Sequence, residues 1–177
     1  MKKLIAISIA AIMLLAVSGT ANALSASETV GITLNLTDVF SLVVHEADQP
    51  DTDKLLELGQ LDEGATGGSN LEVICGTNQG NAWTVTVLGE DLTNAGATET
   101  ITVDNITFTP WAGGGDAGIG SLGTAGPMTI ADQLVYTADP TEYSDTWVTV
   151  MCGVSVFVPY GTVSDYYGGD LTFTMTE

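Results

Sequence analysis

Apolar and polar residues alternate in short runs along most of this 177-residue chain. Val30, Ile32, Leu34 and Leu36 alternate with Gly31, Thr33 and Asn35, the period-two pattern of a strand with one buried face. The same reading predicts strands over 40–46 (FSLVVHE), 55–61, 70–76 (NLEVICG), 82–88 (AWTVTVL), 99–109 (ETITVDNITFT), 128–137, 145–158 and 170–176. Thr, Val and aromatic residues fill these runs, while Gly, Asn, Asp and Pro fill the gaps, as in "DQPDTD" (48–53) and "EGATGGSN" (63–70). The helical alternative is confined to "DTDKLLELGQL" (51–61), where Gly59 interrupts it. Short strands at this spacing predict an all-β chain folded as a single antiparallel β-sandwich of about seven to nine strands.

The first 23 residues follow a different pattern. Lys2 and Lys3 precede the apolar run Leu4–Val17, and Ala21-Asn22-Ala23 has the small-x-small form of a cleavage site. This predicts a secretory signal peptide over 1–23 and a mature domain over 24–177. The apolar run is short for a membrane span, so the mature chain is expected at the cell surface or outside the cell, without membrane insertion. All 22 acidic residues lie beyond this leader, Lys54 is the one basic residue there, and the whole chain carries a formal charge of −19. Nucleic acid and anionic membrane are thereby excluded as partners, since both are held by basic contacts. Charged residues nevertheless make up 14% and apolar ones 45%, the balance of a folded domain and not of an acidic tail.

Few residues offer chemistry. Cys75 and Cys152 each stand in an apolar run and lack CxxC spacing, so in an exported chain they are expected to form a disulfide between two non-sequential strands. Trp83 and Trp147 flank them as in an immunoglobulin core, although Val150 stands where such a domain would carry a Tyr. His45 is the sole histidine, which rules out His-based triads and multi-His zinc sites, and no enzyme is expected. Asp48, Asp51 and Asp53 in "ADQPDTD" are candidate Ca²⁺ ligands, with "ADPTEYSD" (138–145) second. Neither has EF-hand spacing, plain solvated turns compete with that reading, and no other cofactor is expected. Within the glycine-rich "AGGGDAGIGSLGTAG" (112–126), Gly113–Gly118 fits G-x-G-x-x-G. No helix is predicted to follow and Asp116 would repel phosphate, so this is not a dinucleotide site. The segment is either a flexible connection or a binding or assembly loop anchored by Trp111. Tyr160, Tyr166 and Tyr167 surround the turn of "PYGTVSDYYGG" (159–169), as a lid on the sandwich or as a ligand or subunit contact.

The alternating strand "VGITLNL", the segment "LEVICGTNQGNAWTVTVLGEDL" and the closing "VPYGTVSDYYGGDLTFTMTE" together resemble small exported bacterial surface sandwiches. These are fimbrial pilin-like domains, spore coat U-type proteins and WxL-like cell-surface domains. The resemblance implies an immunoglobulin-like or pilin-like sandwich and a non-enzymatic extracellular structural role. The expected function is a self-assembling surface or filament subunit, forming homo-oligomers through the strand of Val30, Ile32, Leu34 and Leu36. That strand can instead be an ordinary first strand of its own sandwich. The alternative function is a monomeric secreted adhesin or carbohydrate-binding module using Trp111, Tyr160, Tyr166 and Tyr167.

Overall fold

In a computed structural model, the chain is described over residues 39–50, 54–113, 118–144 and 146–177. The strands are β1 (Phe40–Glu46), β2 (Thr66–Thr77), β3 (Thr84–Gly89), β4 (Leu92–Asn94), β5 (Thr100–Ile101), β6 (Ile106–Ala112), β7 (Ser121–Leu122), β8 (Gly126–Pro127), β9 (Gln133–Thr137), β10 (Thr146–Phe157), β11 (Tyr167–Gly168) and β12 (Leu171–Thr176). Two single-turn 3₁₀ segments, Val103–Asn105 and Pro140–Glu142, interrupt them. The protein is all-β. Among the described residues no helix is long and apolar enough to cross a membrane.

Every strand pairing among the described residues is antiparallel. One sheet has the order β1-β2-β10-β6-β8, a second β12-β3-β9-β7, and a small third β11-β4-β5. The longest ladder joins β2 to β10, from Thr66↔Phe157 to Thr77↔Thr146. Its alternation decides which side chains enter the core. Leu71, Val73 and Cys75 face inward with Val148, Val150, Cys152, Val154 and Val156. They meet Val85, Val87, Val135 and Met175 of the second sheet in one cluster, and Phe108 of β6 reaches Phe173 of β12 with ring centroids 6.2 Å apart. β-Branched valines dominate both inner faces, where their stiff χ1 suits a pleated surface.

The predicted strand over 99–109 is broken. Thr102 Oγ1 donates to Asp104 Oδ1, Asn105 Nδ2 donates to Thr102 O at 3.3 Å, and Asp91 Oδ1 accepts from Val103 N at 2.7 Å. Such local side-chain bonds compete with a ladder and turn the backbone into the 3₁₀ segment before β6. Residues 55–61, also predicted as a strand, enter no ladder. Gly59 takes φ 71°, while Leu56 and Leu58 pack against the core as a cover.

The expected disulfide is not formed. Cys75 and Cys152 are both buried free thiols on neighbouring strands, but Cys75 pairs with Val148 and Cys152 with Leu71. That offset of four register positions amounts to about 14 Å along the strands, whereas a bridge needs Cα atoms roughly 4.4–6.8 Å apart. Cys75 instead donates weakly to Val148 O, with Sγ 3.7 Å away. Burial, with the Glu142 charge adding to it, pushes the Cys75 thiol up to about 12, and burial does the same for Cys152.

Two outcomes follow. A thiol reagent should titrate two thiols per chain in denaturant without reductant and almost none in the native protein; a titre of zero in denaturant would restore the disulfide. Because the native thiols hold their protons above the ordinary value of 9.0, the unfolded state releases protons first, and stability falls as pH rises from about 9 to 12. Urea unfolding of a C75V/C152V variant should show a shallower decline over that window.

Candidate functional site

Glu142 is the most buried carboxylate among the described residues, at 3% exposure, and the sequence pattern "DPTE" places it there. Asp139 is the N-cap of the Pro140–Glu142 turn. Its Oδ1 accepts from Thr141 N at 3.0 Å, and Glu142 Oε2 reaches back to accept from Asp139 N at 2.8 Å, a reciprocal capping box. The bonds from Thr141 hold the exposed Asp139 carboxyl below the usual range. Tyr136 Oη donates to the Glu142 carboxylate, lying 2.8 and 2.6 Å from its two oxygens, and Oε1 also accepts from Ile119 N at 2.7 Å. Gly120 N donates to Tyr136 Oη at 2.7 Å, and Trp83 Nε1 to Glu142 O at 3.1 Å. Burial, then the bond to Glu142, raises the Tyr136 phenol well above its ordinary value. The carboxylate thus accepts from three donors on two segments, which makes it a fastener between them.

This fastener explains part of the glycine-rich segment. A Cβ on Gly118 would lie 1.9 Å from Tyr136 Oη, and one on Gly123 would lie 1.7 Å from Leu134 O. Residues 118–123 lie against β9 in a path that larger side chains would obstruct, so this half of the segment is a fitted connection and not a flexible one.

A second feature is a cleft of about 600 Å³ lined by β1 and β12. Leu42 and Val44 of β1, Leu56 and Leu58 of the covering segment, and Leu171 and Phe173 of β12 form its apolar part, while Glu46, Lys54 and Asp170 line it as well. Both strands are edges among the described residues, β1 pairing with β2 and β12 with β3. Lys54 Nζ donates to Val44 O, placing an ammonium on the backbone of edge strand β1. His45 lies buried at one margin, with Nδ1 2.9 Å from Glu46 O and Nε2 3.7 Å from Glu72 Oε2.

The predicted site residues are dispersed. Val30, Ile32, Leu34 and Leu36 lie outside the described residues, as do Asp51 and Asp53. Asp48 is in a turn at φ 65°, and among the described residues no group of three or more His, Cys, Asp or Glu is arranged to hold a metal ion. Trp111, the penultimate residue of β6, stands on the outer face of the five-stranded sheet. Tyr160 and Tyr166 are 81% and 86% exposed, whereas Tyr167 is half-buried and donates from Oη to Val163 O at 2.8 Å. Trp83 and Trp147 do not share a core: Trp83 is buried against Tyr136, with centroids 5.6 Å apart, and Trp147 faces outward. Glu142 lies in the second candidate Ca²⁺ turn, 138–145, and the Asp-x-x-Glu spacing there is the sequence signal of a capping box and of this structural role.

No family model matches the chain, and no curated protein matches it. Among solved structures it is similar to a family 123 glycoside hydrolase from Clostridium perfringens, described in terms of glycolipid glycan hydrolysis. The identity is 12% and the TM-score 0.45, over 78% of this chain and 25% of that one. The chain therefore spans about a quarter of that structure's length.

The Glu142 fastener can be tested directly. Glu142→Gln replaces an acceptor with an amide donor facing Asp139 N, and should lower unfolding free energy by about 1–3 kcal/mol with unchanged m-value in urea. Combined with Tyr136→Phe, it should give a coupling energy of roughly 0.5–3 kcal/mol. A loss near zero for Glu142→Gln would mean that the carboxylate bonds contribute nothing net.

Proposed function

We propose that this protein is a non-enzymatic extracellular structural subunit, an immunoglobulin-like or pilin-like sandwich that assembles with copies of itself at the cell surface. The observation that carries this reading is the cleft of mixed apolar and polar lining between β1 and β12, which are edge strands among the described residues. An exposed edge offers main-chain donors and acceptors, and an apolar floor beside it accepts alternate side chains, the two requirements of strand addition. The sequence supplies a matching segment in Val30, Ile32, Leu34 and Leu36, close before β1. Burying each of these would contribute roughly 1.5–3 kcal/mol as an upper bound. Contributed head to tail, such a contact need not close and can propagate as a filament.

The non-enzymatic part of the reading is supported by what the buried titratable groups do. His45 is packed beside Glu72 and Glu46 O, and Glu142 is engaged by its own backbone and Tyr136. Export is supported by the leader pattern of residues 1–23.

Size-exclusion chromatography and negative-stain microscopy of the mature chain, with and without residues 24–37, test the assembly. The expected result is oligomers or filaments for the longer form and a folded monomer for the shorter. A mature chain that stays monomeric, together with a truncation that unfolds, would assign the strand to its own sandwich and end the filament reading.

A further inference from the structure

We infer that the outer face of the five-stranded sheet is a binding platform for a neutral polysaccharide, a reading independent of the assembly cleft. The register of β10 places Trp147, Thr149, Met151 and Phe157 on the side opposite the core, and β6 places Thr109 and Trp111 beside them. Trp111 and Trp147 are 37% and 47% exposed, so each indole has one side in solvent.

Their other sides rest on glycine. A Cβ built on Gly153 would stand 3.1 Å from Trp111 Cζ3 and 3.7 Å from its Cη2; one on Gly76 would stand 3.2 Å from Trp147 Cε3. The missing side chains let both indoles lie against the sheet backbone instead of standing away from it. From the register, four residues along β10 and one strand across, the two tryptophans lie about 14 Å apart. That spacing suits a chain of several sugar residues more than a single hexose. Hexose rings present C–H-rich faces that stack on an indole; the half-buried hydroxyl of Thr149 supplies a hydrogen-bonding partner between the two stacking points, and that of Thr109 one just beyond Trp111.

Charge selects the occupant. At outward register positions of β1, β2, β10 and β6, Glu72 is the sole carboxylate among the described residues, and His45 Nε2 lies 3.7 Å from it. A nearly uncharged face in a chain of net charge −19 leaves a neutral glycan unopposed, whereas an acidic polymer would approach against the field of the whole molecule.

The test is co-sedimentation of the purified mature protein with cellulose, chitin, insoluble xylan and insoluble mannan, and affinity electrophoresis in polygalacturonate as the charged comparison. Retention on at least one neutral polymer and none on polygalacturonate is expected. Trp111→Ala and Trp147→Ala should each weaken retention roughly tenfold, about 1.4 kcal/mol, while Trp111→Phe keeps a measurable part. Because both indoles are half-exposed, melting temperature and the near-ultraviolet signal of buried Trp83 should stay near wild type, separating lost binding from lost fold. The truncation lacking 24–37, where it remains folded, should bind as the mature chain does, so failure of the assembly reading leaves this result intact. The proposal is overturned by no retention on any neutral polymer, by retention indifferent to both alanine variants, or by variants that change oligomeric state without any glycan retention.

Discussion

The antiparallel ladder between β2 and β10 is the constraint on which the rest of the molecule depends. Each strand has 12 residues, and the register runs without a shift from one end to the other. Because successive side chains point to opposite faces, this single register sets both surfaces of the sheet. Val148, Val150, Cys152, Val154 and Val156 go to the core, and Trp147, Met151 and Phe157 go outward. A slip of one residue would exchange the two sets, leaving glycine and large aromatics where the second sheet packs. The outer aromatic surface and the inner valine layer are consequences of one pairing. The same register keeps the two cysteines on one face yet too far apart to bond.

The second sheet is tied down through a carboxylate. Glu142 joins the 3₁₀ turn, Tyr136 of β9 and the backbone of 119 in one set of hydrogen bonds, and Trp83 at the head of β3 donates to its carbonyl. A buried carboxylate is tolerable when its acceptors are filled, and here local backbone and a phenol fill them. The glycine-rich approach to β7 follows from that demand, since the backbone at 118–123 has to pass within contact of Tyr136 and Leu134.

Much of this was legible in the alternation. The runs at 40–46, 82–88, 145–158 and 170–176 each contain or closely match an observed strand, because their period-two pattern coincides with a real burial difference. Failures occurred where local polar chemistry or topology overrode pattern. Thr102, Asp104 and Asn105 divert an alternating run into a turn, and Leu56 and Leu58 alternate as a strand would while merely covering the edge. The two- and three-residue strands β4, β5, β7, β8 and β11 are too short to carry any periodicity. The cysteine pairing was illegible for a different reason: alternation reports which face a residue occupies, never its register against a neighbouring strand. The indole platform was half legible, since Trp111 stood out by type but its glycine seat at 153 comes from β10, a strand remote in sequence.

The edge cleft and the acidity of the chain act against each other. Strand addition at β1 must displace Lys54 from Val44 O, replacing one charge-assisted bond with a row of backbone bonds, and this exchange favours an incoming strand. Bringing together copies that each carry a large negative charge opposes it, by a repulsion that salt screens over about 8–10 Å at moderate ionic strength. The apolar contacts in the cleft are insensitive to salt by comparison. In the proposed assembly, side chains filling the cleft would supply the attraction, while the surrounding carboxylates would oppose it. Screening by dissolved cations would ease this repulsion.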